Sequence, residues 1–290
     1  ENVAYQNQGI NAILQNVAGT LSTEDLNARL DQLGSAGFQY YDEVEKYSKR
    51  NPFYQQYNVS VGSSTERNSF YSSVTYRNNK FEDKYKRDES LGLNLSNKTE
   101  VTKWLSLELN TYISYKEDRN PSYNTLLPGF QAQPYDRLIN SDGSYFTSTG
   151  ASRLSANSMA QISSNGLYSM DITPLQEQAW NLNNGKGFNN RTSLKLNAKI
   201  TDWLFYSPTF QYEYATDNSS LLYNKNSFYV RNKVNSFASS NGSSEATFNL
   251  PYGYINYDQN QIRTAYNFRQ QLNIDKGFAE KSNLSAILGT

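Results

Sequence analysis

The chain has 290 residues, with 27 Lys plus Arg against 27 Asp plus Glu, no His, no Cys and 24 Tyr. Balanced charge removes the basic excess that nucleic acid demands of a partner, and the missing residues exclude disulfides, thiolate chemistry, serine–histidine triads and imidazole metal sites. A hydrophobic fraction of 37% suits a sheet with one apolar and one wet face better than a thick two-layer core.

Residues 1–55 are expected to form a helical or irregular connector, or an extracellular loop. Ile10, Ile13, Leu14 and Val17 follow the spacing of a short amphipathic helix. A second helix starts near Ser22 or Thr23, carries Leu26, Leu30 and Leu33, and is expected to stop at Gly34. Glu1-Asn2-Val3 lacks the charged and apolar regions of a signal peptide, so the chain is expected to begin inside a longer protein. No stretch reaches the ~20 apolar residues of a membrane helix.

From residue 56 the period becomes two. Tyr57, Val59 and Val61 alternate with Asn58, Ser60 and Gly62, and Phe70, Val74 and Tyr76 mark the next strand. Leu91, Leu93 and Leu95 form a third. Leu105, Leu107, Leu109, Thr111, Ile113 and Tyr115 form a fourth, long enough for the ~9–11 residues of a tilted transmembrane strand. The pattern returns at Leu194–Ile200, at Leu204–Tyr214, at Tyr266–Ile274 and at Leu284–Leu288, giving eight candidate strands. Pro208 predicts a bulge or break. Short connections near 63–67, 97–103, 201–202 and 276–282 alternate with longer ones near 78–89, 117–189 and 217–262. Outer-membrane barrels sort their connections in this way, with short periplasmic turns and long extracellular loops. The expected fold is therefore all-β, an antiparallel transmembrane β-barrel section of about eight strands from a larger barrel, occupying 56–290.

Val101-Thr102-Lys103-Trp104-Leu105 repeats as Ile200-Thr201-Asp202-Trp203-Leu204. Trp104 and Trp203, each beside a short turn, are candidates for the periplasmic aromatic girdle. Glu108, Tyr112, Gln211, Glu213 and Arg269 fall on the polar side of their strands and are candidate lumen-facing residues, because a charge on the lipid face is costly. Neighbouring carboxylates (Asp42 with Glu43, Glu82 with Asp83, Glu117 with Asp118) are read as solvated charge rather than catalytic pairs. Asn140-Ser141-Asp142-Gly143 reads as a turn, since it lacks the spacing of a calcium loop. The loop aromatics Tyr123, Phe130, Tyr135, Trp180, Tyr223 and Tyr229 could stack on sugars, pack on peptides or pack within the loops. No catalytic residue, metal site or cofactor is expected, and the chain is not expected to be an enzyme.

Tyr41-Asp42-Glu43-Val44, Tyr57–Gly62, Asn68–Tyr76, Leu91–Leu95, Val101–Leu105 and Lys281–Gly289, in this order, resemble the SusC/RagA-like TonB-dependent transporters of Bacteroidetes. Tyr41 stands where that family usually has Trp, and Ser63-Ser64 replaces a commoner Gly-rich turn. The resemblance implies an outer-membrane barrel of about 22 strands closed by a plug, of which this chain is an early-to-middle section. It implies import of glycans or peptides, a SusD-like surface lipoprotein as partner, energy from the TonB complex through parts not present here, and contact with outer-membrane lipid. A self-contained eight-stranded barrel or adhesin, and a secreted carbohydrate-binding β-protein, are the competing readings.

Overall fold

The computed structural model describes residues 8–123, 132–148, 154–239, 245–279 and 282–290. Two helices come first, α1 (Gln8–Val17) and α2 (Thr23–Ala36). Ser22 caps α2 by accepting from the Asp25 amide at 3.0 Å, and Asp25 itself sits in the first turn, where a negative charge is favoured. The helix runs past Gly34 and stops at Gly37, whose φ of 58° supplies the left-handed exit. The apolar stripe of α1 is not its buried face: Ile13, Leu14 and Val17 are exposed, and Ala12 is the buried residue. A short helix α3 (Gln39–Glu43) continues into a π-helical turn over Val44–Ser48.

Most of the remaining described residues form one antiparallel sheet and the loops at its end. Its strands are β1 (Phe53–Ser64), β2 (Asn68–Lys80), β3 (Arg87–Thr102), β4 (Leu105–Pro121), β5 (Asn181–Thr201), β6 (Leu204–Tyr206), β7 (Thr209–Tyr223), β10 (Ile255–Arg269), β11 (Gln271–Ala279) and β12 (Ser282–Gly289). Ser207 and Pro208 divide β6 from β7, because Pro cannot donate to the ladder. Both β6 and β7 pair with β5, so they act as one broken strand. Likewise β10 pairs with β7 while β11 pairs with β6, and Gln270 marks the break. Eight strand positions result, each antiparallel to the next: β1, β2, β3, β4, β5, β6/β7, β10/β11 and β12. A two-residue pair, β8 (Ala238–Ser239) with β9 (Thr247–Phe248), lies in the loop between β7 and β10.

Register keeps the two faces separate across all eight positions. Val59, Val74, Leu93 and Ile113 are successive partners, and so are Tyr57, Tyr76, Leu91, Tyr115 and Phe188. On the opposite face Asn58, Thr75, Gly92, Ser114 and Asn189 are partners in turn. Because side chains alternate with period two, one residue of slip anywhere would mix these sets. Aromatic pairs reinforce the apolar side: Tyr57 stacks on Tyr76, Phe188 meets Tyr214, and Tyr266 contacts Phe210 and Tyr212. Such pairs contribute roughly 0.2–1 kcal/mol each.

The apolar belt and the short turns also slide along the register. Ser64 and Ser69 end the first hairpin at the level of Lys195, counted across the ladder through Lys98 and Glu108. The second hairpin ends at the level of Ala198, and the third at Thr201. Each pair of strands therefore reaches about three residues further. At ~3.3 Å per residue and ~4.8 Å per strand spacing this is a tilt on the order of 45°. A sheet whose turns are level and whose strands tilt by that amount has the geometry of a barrel wall.

The strands extend beyond their alternating patterns at the other end. β4 runs to Pro121, β5 starts at Asn181, and β7 and β10 meet at Tyr223 and Ile255. On the apolar face of this extension stand Glu117, Lys186, Asn218 and Asn260, successive register partners. The apolar period fades there because both faces are wet.

Candidate functional site

The polar face and the cap of loops above it hold the candidate residues. Glu108 and Tyr112 lie on β4, Gln211 and Glu213 on β7, and Arg269 on β10. All five occupy the polar face and fall within three adjacent rows. One row reads Glu108, Lys195, Thr209, Arg269; the next Asn110, Ser193, Gln211, Asn267; the third Tyr112, Arg191, Glu213, Ala265. Arg191 donates to Glu213 at 2.8 Å, and Gln211 donates to the same carboxylate oxygen at 2.6 Å. Asn110 donates to Glu108 at 3.0 Å. Arg269 donates to Gln271 at 2.9 Å. Tyr112 lies over Gly92, where an added Cβ would sit 3.8 Å from its hydroxyl. Sequence reading missed Arg191, which no local pattern marks; only the pairing of β5 between β4 and β7 brings it to Glu213.

Trp104 and Trp203 occupy equivalent turns. Each Trp amide faces the hydroxyl of the Thr two residues earlier at 3.4 Å. Each Trp carbonyl accepts from the next strand: Lys199 N–H to Trp104 at 2.7 Å, and Asp275 N–H to Trp203 at 2.9 Å. The repeated turn thus joins one hairpin to the following one. Lys276 stands 4.6 Å from the Trp203 ring centroid, and Trp104 remains exposed.

At the far end the connections pack into a cap with a core of its own. Tyr40 and Val44 meet Leu138 and Leu175, so the segment before β1 is held against the long connection between β4 and β5. Glu43 accepts from the Leu138 and Ile139 amides. That connection contains α4 (Ala156–Ser164) and α5 (Pro174–Trp180), and the next contains α6 (Phe228–Ser236). Between them lies Glu177, 1% exposed. It accepts from Asn181 Nδ2 and from the Phe228 amide, both at 2.6 Å, and stands 3.9 Å from Arg231. Arg231 donates to the Ser169 and Asp171 carbonyls. Burial pushes the Glu177 carboxyl above the ordinary range, opposed by these donors. Sequence reading placed Glu177 in an undifferentiated loop.

The loop aromatics divide. Tyr223 stacks on Tyr229 at 4.0 Å, and the Tyr229 and Tyr257 hydroxyls are 2.7 Å apart. That hydrogen bond pushes the Tyr229 hydroxyl up to about 12. Tyr123 is buried, Tyr135 half-buried, and Phe130 lies outside the described residues. Among the neighbouring carboxylates, Glu82 and Asp83 face Lys49, Glu117 faces Lys186, and Asp118 faces Lys116. Asn140–Gly143 is a turn in which Asp142 accepts from the Ser144 amide and hydroxyl. Among the described residues no group of three or more acidic side chains could hold a metal ion.

No family model and no curated protein sequence matches the chain. Solved structures do. The RagAB peptide importer in its closed-closed state matches with a TM-score of 0.58 at 11% identity, over 85% of this chain and 25% of that one. Its open-open state matches at 0.56 and 11% identity, over 81% and 23%. The RagAB peptide transporter matches at 0.55 and 11% identity, over 81% and 24%. The chain spans about a quarter of the length of the structures it matches. At this identity the likeness establishes the fold alone: an antiparallel section of a barrel wall like that of those structures.

Proposed function

We propose that the chain forms part of the barrel of a TonB-dependent outer-membrane transporter that imports peptides or glycans with a SusD-like lipoprotein. One observation carries the reading. All five candidate polar residues, on β4, β7 and β10, fall on one face, the apolar belt falls on the other, and the turns step along the register as a tilted wall requires. The apolar face then meets lipid, and Glu108, Tyr112, Gln211, Glu213 and Arg269 face the lumen. Trp104 and Trp203 lie at the periplasmic interface, and the helical cap lies outside the cell. RagAB, a peptide importer, favours peptides over glycans as cargo.

This chain carries no Cys, so single cysteines placed in it, in a full-length protein with any other Cys replaced, permit a direct test in intact cells. Lys225 lies in the exposed start of the connection after β7, and Lys103 in an exposed short turn. A membrane-impermeant maleimide is expected to label the Lys225→Cys protein at once and the Lys103→Cys protein only after the outer membrane is opened. Equal labelling of both in intact cells, or the reverse order, contradicts this orientation. Peptide uptake that persists without the TonB complex contradicts the transport assignment.

A further inference from the structure

A cavity of the cap lies apart from the barrel wall, between α1, α2 and residues 135–146. Its volume is about 460 Å³, within the range of small-ligand sites. Arg29 enters it from α2 and Arg137 from the loop. Neither guanidinium has a carboxylate partner among the described residues. Arg29 donates to the Gln15 carboxamide at 3.1 Å, and Arg137 lies against the Phe146 ring at 5.1 Å from its centroid. A guanidinium over a ring face retains N–H donors along its edge. Asn11 and Gln32 add neutral donors and acceptors to the lining.

The carboxylate in the cavity does not cancel these charges. Asp136 is half-buried and accepts from the Gln133 amide at 2.7 Å. Among the described residues it forms no ion pair with Arg29 or Arg137, and the two cations outnumber it in the lining. Two guanidiniums lining one polar cavity suit carboxylates, each of which can accept two parallel N–H bonds from one Arg.

We propose that this cavity binds the carboxylate-bearing end of a short acidic peptide, with Arg29 and Arg137 as the anion clamp. A peptide is favoured over an acidic sugar because carboxamides flank the two guanidiniums in the lining. Asn11 and Gln32 supply the carboxamides that pair with main-chain amides. The proposal rests on the reading that the cap faces the external medium. Cysteine labelling tests that orientation separately from binding, so the two can fail independently.

The test is calorimetric titration of the purified full-length protein with triglutamate, with triglutamine amide and with digalacturonate. The expected result is that triglutamate binds, and that R29Q/R137Q weakens it roughly tenfold or more, the worth of one charged hydrogen bond. Triglutamine amide is expected to bind weakly and equally to both proteins. Unchanged triglutamate affinity in the double variant overturns the site, as does triglutamine amide binding the wild-type protein as tightly as triglutamate. Tighter binding of digalacturonate than of triglutamate overturns the peptide assignment. R29K/R137K keeps both charges and is expected to bind better than R29Q/R137Q; an equal loss in both would trace to disturbed loops and overturn a charge clamp.

Discussion

Glu177 is nearly inaccessible to solvent, and its two oxygens collect an amide of α6, the side chain that opens β5 and a nearby guanidinium. Glu177→Leu leaves the Phe228 amide without an acceptor and Arg231 without its carboxylate, while Asn181 and Arg231 keep main-chain carbonyls to donate to; breaking such a buried pair costs about 3–5 kcal/mol. The damage is expected to be local, appearing as faster proteolysis of residues 224–254 while the strands stay intact. Glu177→Gln behaves differently. The new carboxamide still accepts from Phe228, and a flipped Asn181, whose Oδ1 is buried without a partner, can accept its N–H. Desolvation raises the folded-state pKa of Glu177 above its unfolded value. The packed loops therefore hold the proton more tightly, so packing is favoured at low pH and weakens as pH rises from the ordinary carboxylate range through the raised value. Cleavage of the wild-type loop, divided by that of the Glu177→Gln protein at the same pH, is expected to rise between pH 4 and pH 8. A flat ratio would show that Glu177 does not titrate in the packed cap.

Within a single strand the two faces of β4 make opposite demands. Leu109 belongs to the apolar belt, and Asn110 next to it belongs to the row of Ser193 and Gln211. Leu109→Arg is expected to cost about 2–4 kcal/mol in a bilayer, while Asn110→Arg should change stability by well under 1 kcal/mol. Urea unfolding of the full-length protein in vesicles measures both, and equal effects would mean that the faces have been reversed or that neither meets lipid. This alternation was legible in the sequence because leucines and serines repeat with period two through Leu105–Tyr115. Strand ends were not: β5 begins at Asn181, thirteen residues before its first clear alternation at Leu194, in a stretch of Asn, Gly and Lys whose two faces are both polar. The candidate site was half legible for the same reason. Glu108 and Glu213 interrupt visible alternations, whereas Arg191, Glu177 and the Arg29–Arg137 cavity exist only through contacts between segments distant in sequence.

At the scale of the whole chain, the decisive feature is the pair of edges. β1 pairs only with β2 and β12 only with β11 among the described residues, so each presents an unpaired row of backbone groups that lipid cannot satisfy. Two closures are physically available: the edges meet each other in an eight-stranded barrel, or other strands of a longer chain lie between them. The tilt makes the first concrete. After the ladder has slid about ten residues across eight positions, Val61 of β1 and Leu284 of β12 would stand side by side, both on the apolar face. Val61→Cys with Leu284→Cys would then form a disulfide, since Cα atoms paired across a ladder lie about 4.5–5.5 Å apart, inside the range a disulfide spans. Val59→Cys with Val74→Cys, register partners in β1 and β2, provides the positive control. In the oxidised full-length protein the control pair is expected to close and the edge pair to remain reduced, because the rest of a larger wall separates them. The likeness to importers about four times as long points the same way. An edge disulfide formed as readily as the control would establish a self-contained eight-stranded barrel. Its lumen would be filled by the side chains of Glu108, Arg191 and Glu213 rather than open to cargo.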